Sequence, residues 1–315
     1  MRIEQLQRLV EIADTGSISN AAEKLYTSQP NISQSIANLE KELNVKIFVR
    51  TRLGSIPTET GKLVIKKARA IVNQIKDLQN IEHDYRLTGT LTIVSIPTFV
   101  LTILPKTLNV FKKRYPDVEI TVLEDGTKHA IDAIRNDKAD LALASLSYLK
   151  DEEPGLNFDP LFTNKTIAYV GSDFPLVHQK SITLEEAIQF PLVIFNKNYS
   201  SNYIIRNLIE RFGEPNILFS SGNSETMKKI IAESNAIGFY AEISCKTDPY
   251  VLSRKIFPIP IKDDDITLYS KHGIFTKKDI YLSTLARKFM DELRIQSMDF
   301  KLLYNLPNYS FKEHK

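Results

Sequence analysis

Apolar positions recur along the chain with different periods, and each period predicts a different element. Between residues 29 and 43 they fall at Ile32, Ile36, Leu39 and Leu43, in steps of four, three and four, the single buried stripe of a helix. A shorter helical stretch precedes it. Ser17 and Ser19 suit its start, where a hydroxyl caps free N–H groups, and Ala21–Ala22 gives it a face small enough for close packing. Tyr26–Thr27–Ser28 breaks the two, and Pro30 fits the first turn of the second. From about 58 to 82 the apolar residues Val64, Ala68, Ile71, Ile75 and Leu78 step by four, three, four and three. That heptad spacing belongs to a helix lying along another helix, and no neighbouring segment is placed to cover it, so these five residues are the expected dimerisation face; the same stripe also fits packing on its own domain. Past Gly89, a hinge candidate, the pattern becomes short apolar runs separated by helical stretches. Strands are expected at Thr90–Ile96, Val118–Leu123, Asp140–Ala144, Thr166–Val170, Leu192–Phe195, Ile217–Phe219 and Ile237–Tyr240. Between and after them come helices, one with Leu104, Leu108, Phe111 and Tyr115 on a single face, the last near Ile280–Arg294. Alternating strand and helix predicts an α/β protein with parallel-rich sheets covered on both faces.

The polar side of the 29–43 helix carries Gln29, Asn31, Ser33, Gln34, Ser35 and Asn38, and no carboxylate occurs from Ser28 to Leu39. An acid there would sit against phosphates. Two short helices across a tight turn form a helix-turn-helix, whose second helix enters the major groove. Positive charge follows: Lys41, Lys46, Arg50, Arg52, Lys62, Lys66, Lys67 and Arg69 stand against only Glu42 and Glu59. The segment Arg50–Ser55 reads as a turn projecting Arg50 and Arg52, a wing that reaches phosphate or a minor groove. The expected DNA contacts are Ser28, Gln29, Pro30, Asn31, Ser33, Gln34, Arg50 and Arg52, with Gln34 suited to adenine. The same stretch also fits a small helical bundle with a solvated basic face. A two-fold dimer would present two recognition helices to a palindromic double-stranded site.

Together these residues resemble the winged helix-turn-helix of LysR-type transcriptional regulators. The resemblance is carried by Leu6, Ala13, Ser17, Ala21–Ala22, Leu25, Ser28–Gln29–Pro30, Ser33, Ile36, Leu39–Glu40, Leu43, Phe48, Arg50 and Thr58–Glu59–Thr60–Gly61. The order of elements matches to about residue 300. The resemblance implies a winged helix-turn-helix over 1–60, a linker and dimerisation helix with hinge over 61–89, and a two-lobed, periplasmic-binding-protein-like α/β effector domain over 90–300. Lobe I would comprise 90–162 and 270–300, lobe II 163–269, with 301–315 a tail beyond the family module. It further implies a homodimer, assembling as a homotetramer, that answers to a small-molecule effector. One position departs from the family pattern: a basic residue usually follows the serine of the recognition helix, and here it is Gln34, which points to a different preferred DNA sequence.

Ligands in open α/β sheets bind beyond the carboxyl ends of strands. Those ends carry Thr98–Phe99, Ser145, Asn196 through Ser201, Ser220–Ser224 and Ala241. Hydroxyls and amides gathered where helices begin suit an anionic group such as a carboxylate. The expected effector contacts are Thr98, Ser145, Asn196, Ser200, Ser201 and Asn223 as hydrogen-bonding groups, with Phe99, Tyr199 and Phe239 as apolar walls. Taken singly, each serine or asparagine reads equally as a helix cap.

Composition narrows the function classes. In 315 residues the net charge is only +3, so its placement counts for more than its size. Arg2, Glu4, Gln5 and Gln7 interrupt any leader-like apolar run, no stretch approaches the roughly 18 apolar residues of a membrane span, and a single cysteine, Cys245, fits a reducing compartment. A cytoplasmic location without membrane contact is therefore expected. His83, His129, His178, His272 and His314 are scattered without metal-ligand spacing, and phosphate-loop, nucleophile-elbow and dinucleotide signatures are absent. No metal, cofactor or catalytic residue is expected. Asp263–Asp264–Asp265 reads as a solvated turn, and Cys245 as a small core residue whose pKa Lys246 would lower if it were reactive. The competing class is a metabolite-binding protein or enzyme whose N-terminal helices serve only in oligomerisation.

Overall fold

The structure, a computed structural model, describes residues 1–51, 54–79, 87–147, 152–196, 202–263, 265–278 and 280–304. The chain forms two compact units, Met1–Asp84 with Asp279–Thr284, and Tyr85–Lys278 with Leu285–Lys315.

In the first unit α1 (Ile3–Thr15), α2 (Ile18–Lys24) and α3 (Gln29–Leu43) are followed by a hairpin of β1 (Phe48–Thr51) and β2 (Gly54–Pro57), then α4 (Glu59–Gln79). Their shared core holds Leu6, Leu9 and Ile12 of α1, Ala21–Ala22 of α2, and Ile32, Ile36 and Leu39 of α3. Ser17 caps α2 as its position predicted. Gly61 starts α4 tight against the chain before the hairpin: a Cβ there would lie 2.0 Å from the Ile47 carbonyl oxygen.

Three expectations change here. Leu43 is exposed, because α3 ends there and Asn44 turns the chain left-handed. Ser35 is buried, facing α1, where Gln5 Nε2 donates to its carbonyl. Ala68, expected on a dimer face, is only 2% exposed and belongs to an inward stripe of Ile65, Ala68 and Val72, while Val64 packs partly against the same core. Helix α4 thus has two apolar faces. The outward one keeps Ile71 and adds Leu63, both exposed; Ile75 is half-buried, and the side chain of Leu78 lies outside the described residues.

The second unit is built on a nine-stranded sheet. Its elements are β3 (Gly89–Ser95), α5 (Pro97–Leu101), α6 (Leu104–Arg114), β4 (Val118–Glu124), α7 (Thr127–Arg135), β5 (Leu141–Ser147), β6 (Leu156–Gly171), α8 (Leu184–Ala187), β7 (Leu192–Phe195), α9 (Asn202–Phe212), β8 (Ile217–Ser221), α10 (Ser224–Ala232), β9 (Ile237–Ala241), α11 (Pro249–Leu252), β10 (Ile256–Pro260), β11 (Tyr269–Lys277) and α12 (Thr284–Leu303). Strand order is β4-β3-β5-β11-β6-β9-β7-β8, with β10 also on β6. β3 lies parallel between β4 and β5, and β7 parallel between β8 and β9. β6 and β11 join the two parallel sets: the first part of β6 pairs antiparallel with β11, the second with β9 and β10.

Each set is covered on both faces because side chains alternate along the strands. Ala168 and Val170 of β6 face Ile204, Ile205 and Leu208 of α9, while Ile167 and Tyr169 face Met227 and Ile231 of α10. The predicted strands recur within a few residues. The sequence reading missed that β6 is one 16-residue strand, and it missed β10. It also began α12 too early and ended it too soon: the helix runs Thr284–Leu303, with Phe300 buried within it.

Candidate DNA interface and effector cleft

Ser28 caps α3, its hydroxyl accepting from Asn31 N–H at 3.4 Å. That leaves Gln29, Pro30 and Asn31 exposed on the first turn, Ser33 half-buried beside them, and Gln34 exposed with its amide donating to Asn38 Oδ1 at 2.9 Å. The first acid after this face, Glu40, turns inward. Its carboxylate accepts from Ile47 N–H at 2.8 Å, Phe48 N–H at 3.2 Å and Lys46 Nζ at 2.7 Å. Burial works to raise its pKa, but the Lys46 ammonium and the two backbone donors outweigh it and hold the carboxyl below the ordinary glutamate value. Glu40 therefore ties α3 to the hairpin, and the outward face stays free of acid from Ser28 to Leu39; Glu42, at the far end of the helix, is exposed and pairs with the N-terminal amine. Arg50 lies in β1 opposite Ser55; its side chain, like all of Arg52, lies outside the described residues.

In the second unit a cleft of about 840 Å³, open mouth included, lies between the two parallel sets. Ile96, Pro97, Thr98, Leu101 and Ser147 line it from one side, and Phe195, Ser224, Phe239, Tyr240 and Ser244 from the other. Its floor comes from the joining strands: Asn164 and Thr166 of β6, Ser270 and His272 of β11. No lysine, arginine, aspartate or glutamate lines it among the described residues.

His272 is buried. Its Nε2 lies 3.0 Å from Ser270 Oγ, and its ring stacks on Phe162 at 5.1 Å and 21°. Nδ1 has no hydrogen-bond partner, and burial pushes the pKa down to about 3, so the ring is neutral at physiological pH. Thr267, also lining, donates its hydroxyl to Asp265 at 2.7 Å and accepts from Asn207 Nδ2 at 3.1 Å. Asp265 accepts in addition from Thr267 N–H and from Arg211 at 3.0 Å, and Asp263 accepts from Leu184 N–H at 2.8 Å. Asp263 and Asp265 are thus more than a solvated turn, since they clasp α8 and α9 to the cleft wall; Asp264 lies outside the described residues.

Of the effector residues expected from sequence, Thr98 and Phe239 line the cleft. Phe99 lies fully buried beneath it, 5.5 Å from Phe162. Ser145 is buried with its hydroxyl 3.1 Å from Thr127 Oγ1, turned toward the start of α7. Asn223 is occupied as the cap of α10, accepting from Thr226 N–H at 2.9 Å, and Asn196 is exposed away from the lining. Tyr199, Ser200 and Ser201 lie outside the described residues. The sequence reading missed the floor, although Ser270 and His272 gave a signal: they are polar positions in a strand whose two neighbours bury it. Cys245 is half-buried, and burial pushes its thiol up against the opposing pull of Lys246, the reverse of what a reactive cysteine needs. Among the described residues there is no cluster fit to hold a metal and no helix long and apolar enough to cross a membrane.

A winged helix-turn-helix with an acid-free polar face, joined in one chain to a two-lobed α/β unit with a hydroxyl-lined cleft, defines a ligand-responsive DNA-binding protein. Residues 3–62 match the family described as "Bacterial regulatory helix-turn-helix protein, lysR family", and residues 86–297 match "LysR substrate binding domain". The chain belongs to the LysR family of transcriptional regulators, a family of DNA-binding proteins and not of enzymes. It is 26% identical over 291 residues to the regulator CysB of Burkholderia cenocepacia, covering 88% of this chain and 91% of that protein. It is 30% identical over 251 residues to the regulator cbl of Klebsiella aerogenes, covering 78% of each. The fold is similar to that of a full-length OxyR variant from Pseudomonas aeruginosa, with a TM-score of 0.68, 19% identity and 94% of both chains covered. Regulators of this family bind DNA and small-molecule effectors and form oligomers.

Proposed function

We propose that this regulator binds a palindromic promoter site as a cytoplasmic homodimer, assembling further to a tetramer, and that a small polar effector in the cleft changes its hold on DNA. The observation that carries the reading is the exposed N-terminal part of α3, where Gln29, Asn31 and Gln34 face solvent with no acid among them. Those residues read bases, Ser28, Pro30 and Ser33 shape the contact, and Arg50 and Arg52 bind phosphate or the minor groove. Dimerisation uses the outward face of α4, centred on Ile71 and Ile75.

Uncharged groups hold the effector among the described residues, where hydroxyls, one amide and a neutral imidazole supply the polar lining. An anionic effector, such as a small carboxylate, is met by hydroxyls and backbone N–H groups in place of a cation. Its preference for one arrangement of the lobes supplies the switching energy. Footprinting of the region upstream of its own coding sequence, with and without fractionated cell metabolites, tests this reading. A protected palindrome whose occupancy shifts with one fraction is expected. Protection indifferent to every fraction, combined with no thermal shift of the protein, would remove the effector half of the proposal.

A further inference from the structure

The turn between α2 and α3 breaks a local rule. Leu25 caps α2, Thr27 N–H bonds to Ala22 O at 3.0 Å, and Tyr26 N–H bonds to Glu23 O at 3.1 Å. Tyr26 therefore stands just past a helix cap with φ +50, the left-handed position that glycine or asparagine ordinarily fills because a Cβ is crowded there. Three other described non-glycine residues take positive φ: Asn44, Asp137 and Arg254. The first two carry the short polar side chains that tolerate it. Tyr26 carries an aromatic ring, and it is 98% exposed, so burial does not offset the strained backbone. The largest exposed apolar surface of this turn stands two residues before the Ser28 cap. It adjoins the end of α3 where Gln29 and Asn31 face solvent. In helix-turn-helix proteins that end of the second helix meets base edges, which brings the flanking phosphates within reach of the turn. A rule broken with no return to the fold points to function.

We propose that Tyr26 contacts DNA directly. Its phenol hydroxyl donates to a backbone phosphate and its ring lies against the adjoining sugar, which sets the register of α3 in the groove. The test uses the full-length chain. Anisotropy titrations are run with a labelled duplex spanning the region upstream of its own coding sequence and with a scrambled duplex of equal length, across a range of salt. Tyr26→Asn removes the backbone strain, so the urea midpoint of the first unit stays or rises while affinity for both duplexes falls about tenfold. Tyr26→Phe keeps the ring and loses most of that factor. The salt slope stays unchanged in both variants, because no cation is removed. Affinities of Tyr26→Asn within twofold of the parent on both duplexes overturn the proposal. A urea midpoint that falls in step with affinity overturns it as well, since the role would then be structural. Loss confined to the upstream duplex, with Tyr26→Phe unaffected, replaces the phosphate contact by a base contact and also counts against it.

Discussion

The two units treat polar groups in opposite ways. In the DNA-binding unit most polar side chains of α3 face water, the buried acid among the described residues, Glu40, is satisfied by three donors, and the Ser35 hydroxyl is a buried group left without a partner. In the effector unit polar groups are carried inside, and several are left short. His272 Nδ1 and the hydroxyl of Tyr169 are buried without a hydrogen-bond partner. Lys228 and Asp248, each 0% exposed, pair at 3.1 Å. A surface that must present one fixed pattern to DNA gains from near-complete internal satisfaction, since little inside it then favours rearrangement. A cleft that must change on binding is better served by groups whose partners are incomplete, because a ligand or a lobe movement can complete them.

The largest expected effect that tests this contrast comes from the buried pair. Lys228→Met leaves the Asp248 carboxylate, which also caps α11 through Tyr250 N–H, without its ammonium. Uncompensated buried charge costs about 3–5 kcal/mol. Urea unfolding followed by circular dichroism should show that loss in the effector unit, with the DNA-binding unit unchanged. A loss under about 1 kcal/mol would mean that water reaches the site and the contrast is overstated.

Next comes Glu40→Ala, which strips the acceptor from Ile47 and Phe48 N–H groups and is expected to destabilise the DNA-binding unit by about 2–3 kcal/mol. Because the Glu40 pKa is held below its unfolded value, its contribution is present above about pH 4.3 and fades as pH falls through the folded value. Glu40→Gln, which keeps one acceptor oxygen, should recover part of the loss at neutral pH. No recovery would show that charge, and not acceptance, is what the hairpin requires.

How far the sequence reached follows the same division. Helix α3 was legible because one face meets the core and the other meets water, so period and polarity report the same thing. The strands of the effector unit were legible as apolar runs for the same reason. The cleft was not. Its floor is made by β6 and β11, whose pairing joins residues over a hundred positions apart, such as Ser270 with Asn164, and no local period records that pairing. Ser145 lies inside β5, which runs past the expected end at Ala144, and Asn223 follows β8 as expected, yet each is committed to a partner that position alone does not reveal. Ala68 was misassigned because a heptad stripe and the inward stripe of α4 share that residue.

His272 supplies a test in pH. Its folded pKa, about 3, lies below the ordinary value near 6.5, so between those limits the unfolded chain binds a proton that the folded chain refuses. Stability contributed by the neutral ring is full above about pH 6.5 and falls by about 1.4 kcal/mol for each unit below it. Lowering pH from 6.5 to 5 should therefore cost the effector unit about 2 kcal/mol through this residue. His272→Phe should remove that part of the slope. An unchanged slope in the variant would place the acid sensitivity elsewhere and leave His272 accessible to water.

The smallest expected effect lies at the start of the recognition helix. Ser28 accepts from Asn31 N–H at 3.4 Å, a long bond, so Ser28→Ala should sit at the low end for a lost cap, about 0.5–1 kcal/mol, and Ser28→Gly should lose only a few tenths. Both are read in the urea midpoint of the DNA-binding unit. The order of the two variants matters more than their size. Alanine below glycine means the cap acts through the helix end, as in any α-helix. No loss in either variant would mean that the Ser28 hydroxyl does little for the folded unit, leaving α3 held by its buried stripe and by Glu40 alone.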